Sequence, residues 1–393
     1  MAYRYAVLGA GRQGTAAAYD MAKFGDAINV TLYDRDLETA RKSAQRINRL
    51  LDKEIALAKE IDVSNEDQLT KALKEIDSFL SAVPYWFNPR ISRCAINAGA
   101  SMCDLGGKTS LVLEQMKLDR EAAAAGVSIV PDCGQVPGLG NSLAAYAISL
   151  LDSAEEIYMW DGGIAQNPRP PFDYYLTFNI AGLTNEYYGT ACFLRDGKIV
   201  ELPTFTEDEY ELVRFPEPIG TLEAFVAGGG TSTAPWTYEG KLRTYQNKTL
   251  RYRGHFKQWK TLMDCGLLEE EPLDLGDGIK VSPRRVLHAL LEPKLAPRAD
   301  DKDLVIVRIK GFGRKDGRRA EAFVEVIDFF DESTGFSAME RTTGWHAAIM
   351  AIFNARGVTP RGVKSVETAV PAPLFVQELI KRGIPLEETV ILK

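Results

Sequence analysis

The apolar positions along the chain change texture near residue 140. Up to there, uninterrupted apolar runs of strand length alternate with longer stretches of helix formers. Tyr5 to Leu8 carry no polar interruption, residues 15–25 (TAAAYDMAKFG) follow as a helix closed by Gly25, and INVTLYD, residues 28–34, is a second strand. The same reading predicts helices over 36–50, 65–76 (started by Asn65), 88–97 and 110–126, and strands over 76–83, 100–105 and 127–130. Alternation with short connections implies a parallel, doubly wound sheet, which takes its ligand at the carboxyl ends of its strands.

After Gly140 a helix over 141–152 leads into strand-rich sequence without regular alternation. Residues 156–164, 190–202, 304–329 and 331–340 read as strands and hairpins, with Asp316-Gly317 and Ser333-Thr334-Gly335 as turns. Helical texture returns over 342–357, a segment expected to cross back onto the first domain. The expected fold class is therefore α/β: a Rossmann-type doubly wound parallel sheet plus a second α+β catalytic domain with a mixed or antiparallel sheet. The divisions expected are 1–131 (dinucleotide binding), 132–340 (catalysis, substrate and dimerisation) and 341–393 (a helix and tail packing on the first domain).

The first strand runs into G-x-G-x-x-G at Gly9, Gly11 and Gly14, and the second ends in Asp34, twenty residues past Gly14. Strand, glycine turn, helix, strand and acid come in the order a dinucleotide site requires. Gly9 permits the tight turn, Gly11 close approach of a pyrophosphate, and Gly14 helix–strand packing. The helix starting at Arg12 and Gln13 offers unpaired N–H groups to phosphates. Asp34 suits two ribose hydroxyls and repels a 2′-phosphate, which favours NAD; Arg35, next in line, pulls the other way. On the same rim, Val83, Pro84, Asp104 and Gly106 are expected near the cofactor, and Tyr85, Gly107, Pro137 and Asn141 near the substrate.

Composition narrows the partners. With 393 residues, 45% hydrophobic and 26% charged, the chain reads as an ordinary globular protein of two or three domains. A net charge of −7 argues against nucleic acid. No run approaches the ~18 apolar residues of a membrane span, and the start at MAYRYAVLG leaves no room for a cleavable signal. Five cysteines without C-x-x-C suggest a reducing compartment, with the cytoplasm as the expected location. Three histidines far apart in sequence give no metal-ligand spacing, so no metal is expected.

Four polar, flexible stretches carry the candidate chemistry. PDCGQVPGLGN (131–141) holds Asp132, with Cys133 read as lining. Asp161 ends a strand and reads as a proton acceptor or as a turn residue. AGGGTSTAPW sets Thr231, Ser232 and Thr233 after three glycines, a nest of donors for a carboxylate or a plain surface loop. LRYRGHFKQW, if a strand, puts Arg251, Arg253, His255 and Lys257 on one face. His255 reads either as a base or as a core histidine bonded to backbone. With no nucleophile–base pair beside the fingerprint, hydride transfer is the chemistry expected.

In order along the chain, VLGAGRQG, DLGG, PDCGQVPGLGN, GGTST, TLRYRGH and GRKDG resemble the saccharopine dehydrogenase superfamily, and within it the L-lysine 6-dehydrogenases. The resemblance implies an NAD-dependent homodimer that oxidatively deaminates the ε-amine of lysine to 2-aminoadipate 6-semialdehyde, which cyclises to piperideine-6-carboxylate. Asp161, Gln135 and Gly140 depart from the pattern of those dehydrogenases. On this reading His255 is the first candidate base, with Asp161 and Asp132 behind it. The Thr231–Thr233 donors, with Arg243 or Arg253, hold the α-carboxylate. The alternatives are a saccharopine-type reductase acting on a secondary amine, which needs an arginine-rich second carboxylate pocket, and a catalytically silent NAD-binding regulator.

Overall fold

The computed structural model describes residues 1–393. The chain begins β1 (Tyr3–Leu8), α1 (Arg12–Phe24), β2 (Ala27–Asp34), α2 (Leu37–Leu51), β3 (Ala56–Glu60) and α3 (Glu66–Leu73). It continues through β4 (Ser78–Ser81), α4 (Asn88–Ala98), β5 (Ser101–Asp104), α5 (Thr109–Met116), α6 (Asp119–Ala124), β6 (Ser128–Val130) and α7 (Leu139–Ser149). Then come β7 (Ser153–Ala165), α8 (Ile180–Tyr187), β8 (Thr190–Arg195), β9 (Lys198–Pro203), β10 (Glu211–Arg214) and β11 (Thr221–Phe225). After α9 (Ala234–Tyr238), β12 (Thr244–Arg251) and α10 (His255–Asp264), a small hairpin of β13 (Leu273–Asp274) and β14 (Lys280–Val281) precedes α11 (Pro283–Leu295). The long hairpin of β15 (Asp303–Lys315) and β16 (Arg318–Phe329) is followed by α12 (Ala338–Glu340) and α13 (His346–Ala355). The chain closes with β17 (Gly362–Val363), α14 (Ala372–Lys381) and β18 (Glu387–Leu392).

Seven parallel strands form the first sheet in the order β17-β6-β5-β4-β1-β2-β3. Both faces are covered, which is why Tyr5 to Leu8 are apolar without alternation. The strand order turns back at β1, between β2 and β4, and opens a crevice above their carboxyl ends. The second sheet is mixed and nine-stranded, with main path β10-β11-β12-β7-β15-β16-β18; β12 and β7 run parallel. No helix is long and apolar enough to cross a membrane.

The two sheets share one core. HAAIMAIFNA in α13 is apolar on nearly all sides because it is covered by α1, β4, β5 and α14. Burying Ile349, Met350 and Ile352 there contributes roughly 1.5–3 kcal/mol each. On the other side α7 packs on β7 and β15, so that Val7 and Val130 belong to the same apolar cluster as Leu143, Ile157 and Val305. Between them a π-helical turn, Arg341–Trp345, brings Gly344 against α1, where a Cβ would lie 2.9 Å from the Gln13 carbonyl oxygen. This packing fixes the cleft between the domains.

Local departures from the sequence reading have local causes. The edge strand β3 is built from helix formers (ALAKE) and follows pairing with β2. The expected helix over 110–126 breaks at 117–118, where Asp119 is drawn to the Val363 N–H and the Lys364 ammonium. Residues 331–336 form the expected turn about the Asp331 carboxylate, closed by the single antiparallel bridge Asp331–Phe336, but no strand continues to 340: Ser337 and Glu340 cap α12 reciprocally. The tail divides between the domains: β17 joins the first sheet beside β6 and Arg382 pairs with Asp20 of α1, while β18 pairs antiparallel with β16 at the edge of the second sheet.

Candidate active site

The glycine turn between β1 and α1 fits a dinucleotide. Gly9 has φ 95° and a Cβ there would lie 2.8 Å from the Ala82 oxygen; at Gly14 it would lie 2.0 Å from the Gly9 oxygen. At Gly11, which starts α1, it would meet nothing within 4 Å, so the helix N-terminus faces open space. Gln13 presents a buried Oε1 with no hydrogen-bond partner. Asp34 stands one strand away at the end of β2, its Oδ2 accepting from the Ala10 N–H (2.9 Å) and its Oδ1 from the Asp36 N–H (3.0 Å). Arg35 is exposed beside it.

From this turn a cleft of about 670 Å³ runs between the domains. One wall consists of Gly11–Gly14, Ala82–Trp86, Leu105–Thr109, Asp132 and Gly134–Pro137. The second contributes Leu176–Asn179, parts of α8 through Asn185 and Glu186, Gly228, Gly229, Glu292, Met339 and Thr343. Arg12 bridges the two, its Nη2 donating to the Leu176 oxygen (3.2 Å). Asn185 does so as well, donating to the Gly107 oxygen (2.6 Å). Of the expected cofactor and substrate residues on the rim, Val83, Pro84, Tyr85, Gly106, Gly107 and Pro137 line the cleft.

Several expected site residues instead build its walls. Asp104 lies behind the lining, accepting from Gly106 N (2.8 Å), Asp132 N (3.2 Å) and Gln115 Nε2 (2.8 Å). Asn141 caps α7 through the Gly138 N–H and donates to the Thr231 oxygen. Cys133 is buried, its thiol directed at the Val130 oxygen (3.3 Å), and does not line the cleft.

The donor nest at 231–233 is spent internally. Thr231 Oγ1 donates to the Cys192 oxygen (2.7 Å), Ser232 Oγ to Asp132 Oδ2 (2.5 Å), and Thr233 Oγ1 to the buried Glu367 carboxylate (3.1 Å). No hydroxyl is left for a substrate carboxylate. Arg243 pairs with Glu156 at the surface, and Arg253 is exposed away from the cleft.

His255 is the largest correction. The strand ends at Arg251, and His255 opens α10, so the expected one-faced array of Arg251, Arg253, His255 and Lys257 does not form. The imidazole sits among Phe172, Tyr174, Tyr187, Phe225 and Trp259. A carbonyl only accepts, so Nδ1–H donates to the Phe172 oxygen (3.1 Å) and Nε2 is left as the acceptor. Tyr187, whose oxygen accepts from Arg251 Nε (2.9 Å), donates its hydroxyl to Nε2 (2.9 Å). Burial, with the Arg251 charge, lowers the imidazole pKa to about 3. Its lone pair is occupied and it does not reach the cleft, so it is a core histidine.

Asp161 is buried beside Asn247, which donates to its Oδ1 (2.8 Å); burial raises it to about 6 against Asn247 and Arg251. It lies behind Gln135 rather than on the lining. Asp132 does line the cleft. Its Oδ1 is unpartnered, and burial with the neighbouring Asp104 charge raises its pKa to about 7, opposed by Ser232.

The sequence reading missed Glu186, also on the lining. Burial raises its pKa to about 8, with Arg251 pulling it down and Asp161 pushing it further up. The signal was present: Asn179 caps α8 by accepting from the Gly182 N–H (2.7 Å), and Ile180, Leu183 and Tyr187 recur at helical spacing.

Comparison with known proteins agrees with this architecture. Residues 5–130 match the family described as "Saccharopine dehydrogenase NADP binding domain", and residues 134–384 that described as "Saccharopine dehydrogenase C-terminal domain". A carboxynorspermidine synthase from Vibrio alginolyticus is 24% identical over 96% of this chain and 94% of its own. A saccharopine dehydrogenase [NADP(+), L-glutamate-forming] from Saccharomyces cerevisiae is 24% identical over 95% of this chain and 96% of its own. The solved apo structure of the saccharopine dehydrogenase (L-Glu forming) from S. cerevisiae shares the fold, with TM-score 0.77 at 20% identity over 99% of this chain and 100% of that one.

Proposed function

Because the chain belongs to the saccharopine dehydrogenase family, we propose that this oxidoreductase oxidises the carbon beside a primary amine, that of the ε-amine of L-lysine, with NAD. The products are 2-aminoadipate 6-semialdehyde and ammonia. The observation that carries this reading is the ionisable lining of the cleft: three carboxyl groups, Asp132, Glu186 and Glu292, against two cations, Arg12 and Lys108, with Arg12 beside the glycine turn. Burial pushes up the pKa of Asp132 and Glu186, which a bound cation would draw to the charged form. Such a lining suits a cationic amine better than a substrate with two or three carboxylates.

The glycine turn, the N-terminus of α1 and Asp34 would hold the cofactor, which supplies a hydride acceptor when bound. Asp34 supports NAD, since a carboxylate repels a 2′-phosphate, although the family description and several relatives name NADP. The ammonium of a lysine side chain, with a pKa of about 10.4, must first lose a proton. R–CH2–NH3⁺ then becomes R–CH=NH2⁺ with loss of one proton and one hydride, and water releases the aldehyde and NH4⁺. The chain's part is to orient the amine, accept that proton and limit bulk water. Lys108, the cleft cation away from the glycine turn, is assigned the α-carboxylate.

The relatives' names support a second reading, in which the scissile bond belongs to a secondary amine. An amine panel with NAD and NADP separates the two. Cofactor reduction with release of one ammonia per turnover from L-lysine supports the first reading; ammonia-free turnover of a secondary amine supports the second. Cofactor binding without turnover of any amine would refute both.

A further inference from the structure

Amine oxidation requires a proton acceptor, and His255, the first candidate in the sequence, is sealed in the core. Three carboxyl groups remain on the lining: Glu292 is exposed on α11, whereas Asp132 is buried and Glu186 half-buried between the walls. Asp132 is tied by Oδ2 to Ser232, which joins the 131–141 loop of one wall to the 227–236 loop of the other. Its backbone is in the left-handed region at φ 59°, and a Cβ at Gly106 would overlap its Oδ1 at 1.8 Å. It is built as a strap across the seam.

Glu186 is built differently. Its backbone oxygen accepts from the Gly228 N–H (2.6 Å), and its neighbour Asn185 ties α8 to Gly107. The last turn of the helix is thereby pinned to both walls. The carboxyl group itself takes no hydrogen bond from the protein; it is influenced only by burial and by the charges of Arg251 and Asp161. We infer that Glu186 is the catalytic residue that takes the ammonium proton of the substrate. This deepens, and rests on, the amine-oxidation reading. In the step one N–H bond of R–CH2–NH3⁺ breaks and one O–H bond forms on the carboxylate, giving R–CH2–NH2 and a neutral acid. The freed nitrogen lone pair then drives hydride departure toward the oxidised pyridine nucleotide.

The surrounding charges suit this task. Arg251 faces Glu186 from β12, Asp161 from β7, Tyr174 from the segment before α8, and Tyr187 from the same helix. Arg251 is locked by donating to Tyr187 Oη, Thr249 Oγ1 (2.9 Å) and the Leu250 oxygen (2.8 Å). It is a positioning residue: its fixed charge keeps the carboxyl ionisable in a site that would otherwise hold it neutral.

The test compares wild type with Glu186→Gln, Glu186→Asp and Asp132→Asn. Wild-type kcat/KM for L-lysine should rise with pH to a plateau above about 8. Glu186→Gln should lower kcat by about 10² to 10⁴ and lose that limb, with reduced-cofactor binding and melting temperature retained, and Glu186→Asp should restore part of both. Asp132→Asn should act on KM and keep the limb. Calorimetry at pH 7 in buffers of different ionisation enthalpy gives a readout without turnover. L-lysine binding to the reduced-cofactor complex should release most of one proton more from wild type than from Glu186→Gln, the remainder in the variant coming from Asp132. A Glu186→Gln enzyme with the wild-type limb or the wild-type proton release overturns the assignment while leaving amine oxidation standing. Wild type inactive on every amine overturns both.

Discussion

If His255 is a buried neutral core residue, its removal should show in the pH dependence of stability. The folded imidazole has a pKa of about 3, against about 6.5 in an unfolded chain. A depressed histidine pKa means that the unfolded state binds more protons. The stabilisation is therefore complete above pH ~6.5 and declines, at about 1.4 kcal/mol per unit, as pH falls toward ~3. Between pH 8 and pH 5 this one group should cost wild type about 2 kcal/mol. His255→Asn removes that titration, while His346, buried with both ring nitrogens bonded, titrates alike in both proteins. At pH 8 the variant should be less stable by roughly 1–3 kcal/mol, because the Tyr187 hydroxyl and the Phe172 carbonyl lose their partner. From pH 8 to pH 5 it should lose about 2 kcal/mol less than wild type. Urea unfolding at both pH values, followed by tryptophan fluorescence, measures the double difference. Equal pH dependence in the two proteins would refute the buried-neutral assignment. A hundredfold fall in kcat with unchanged stability at pH 8 would return His255 to the mechanism.

Other predictions follow from residues at the cleft and the seam. Asp34→Asn should cost about tenfold in kcat/KM with NAD and improve NADP, since a charged hydrogen bond is worth ~1.5–3 kcal/mol; a wild type equally efficient with NADP would exclude the assignment. Lys108→Met should raise KM for L-lysine about tenfold and leave 1,5-diaminopentane unaffected, one charged contact being worth ~1.4 kcal/mol or more; parallel changes for both substrates would remove Lys108 from carboxylate binding. Gly344→Ala sets a Cβ 2.8 Å from Ala16 Cβ and 2.9 Å from the Gln13 oxygen. It should destabilise by ~1–3 kcal/mol and weaken cofactor binding through displaced α1; unchanged melting and affinity would show that the contact tolerates a methyl group.

The two textures of the chain, the alternating first domain and the glycine turn were legible in the sequence, because each is a local property. A parallel strand buried on both faces needs an apolar run, and a turn at φ 95° beside the Ala82 carbonyl needs Gly9. These constraints act over a few residues and leave their mark there. The edge strand β3 and the break at 117–118 were not legible, since pairing with β2 and the reach of Asp119 to β17 override local propensity. The site divides the same way. The phosphate turn belongs to one βαβ unit and shows in its spacing. The far end of the cleft is assembled from α8 and the loops at 105–109, 131–137 and 228–229, which lie far apart in sequence. Residue type and resemblance favoured His255 and Thr231 and passed over Glu186. Only the folded chain decided which polar group was spent on another part of the protein and which was left facing the cleft, because hydrogen-bond satisfaction and desolvation depend on neighbours in space.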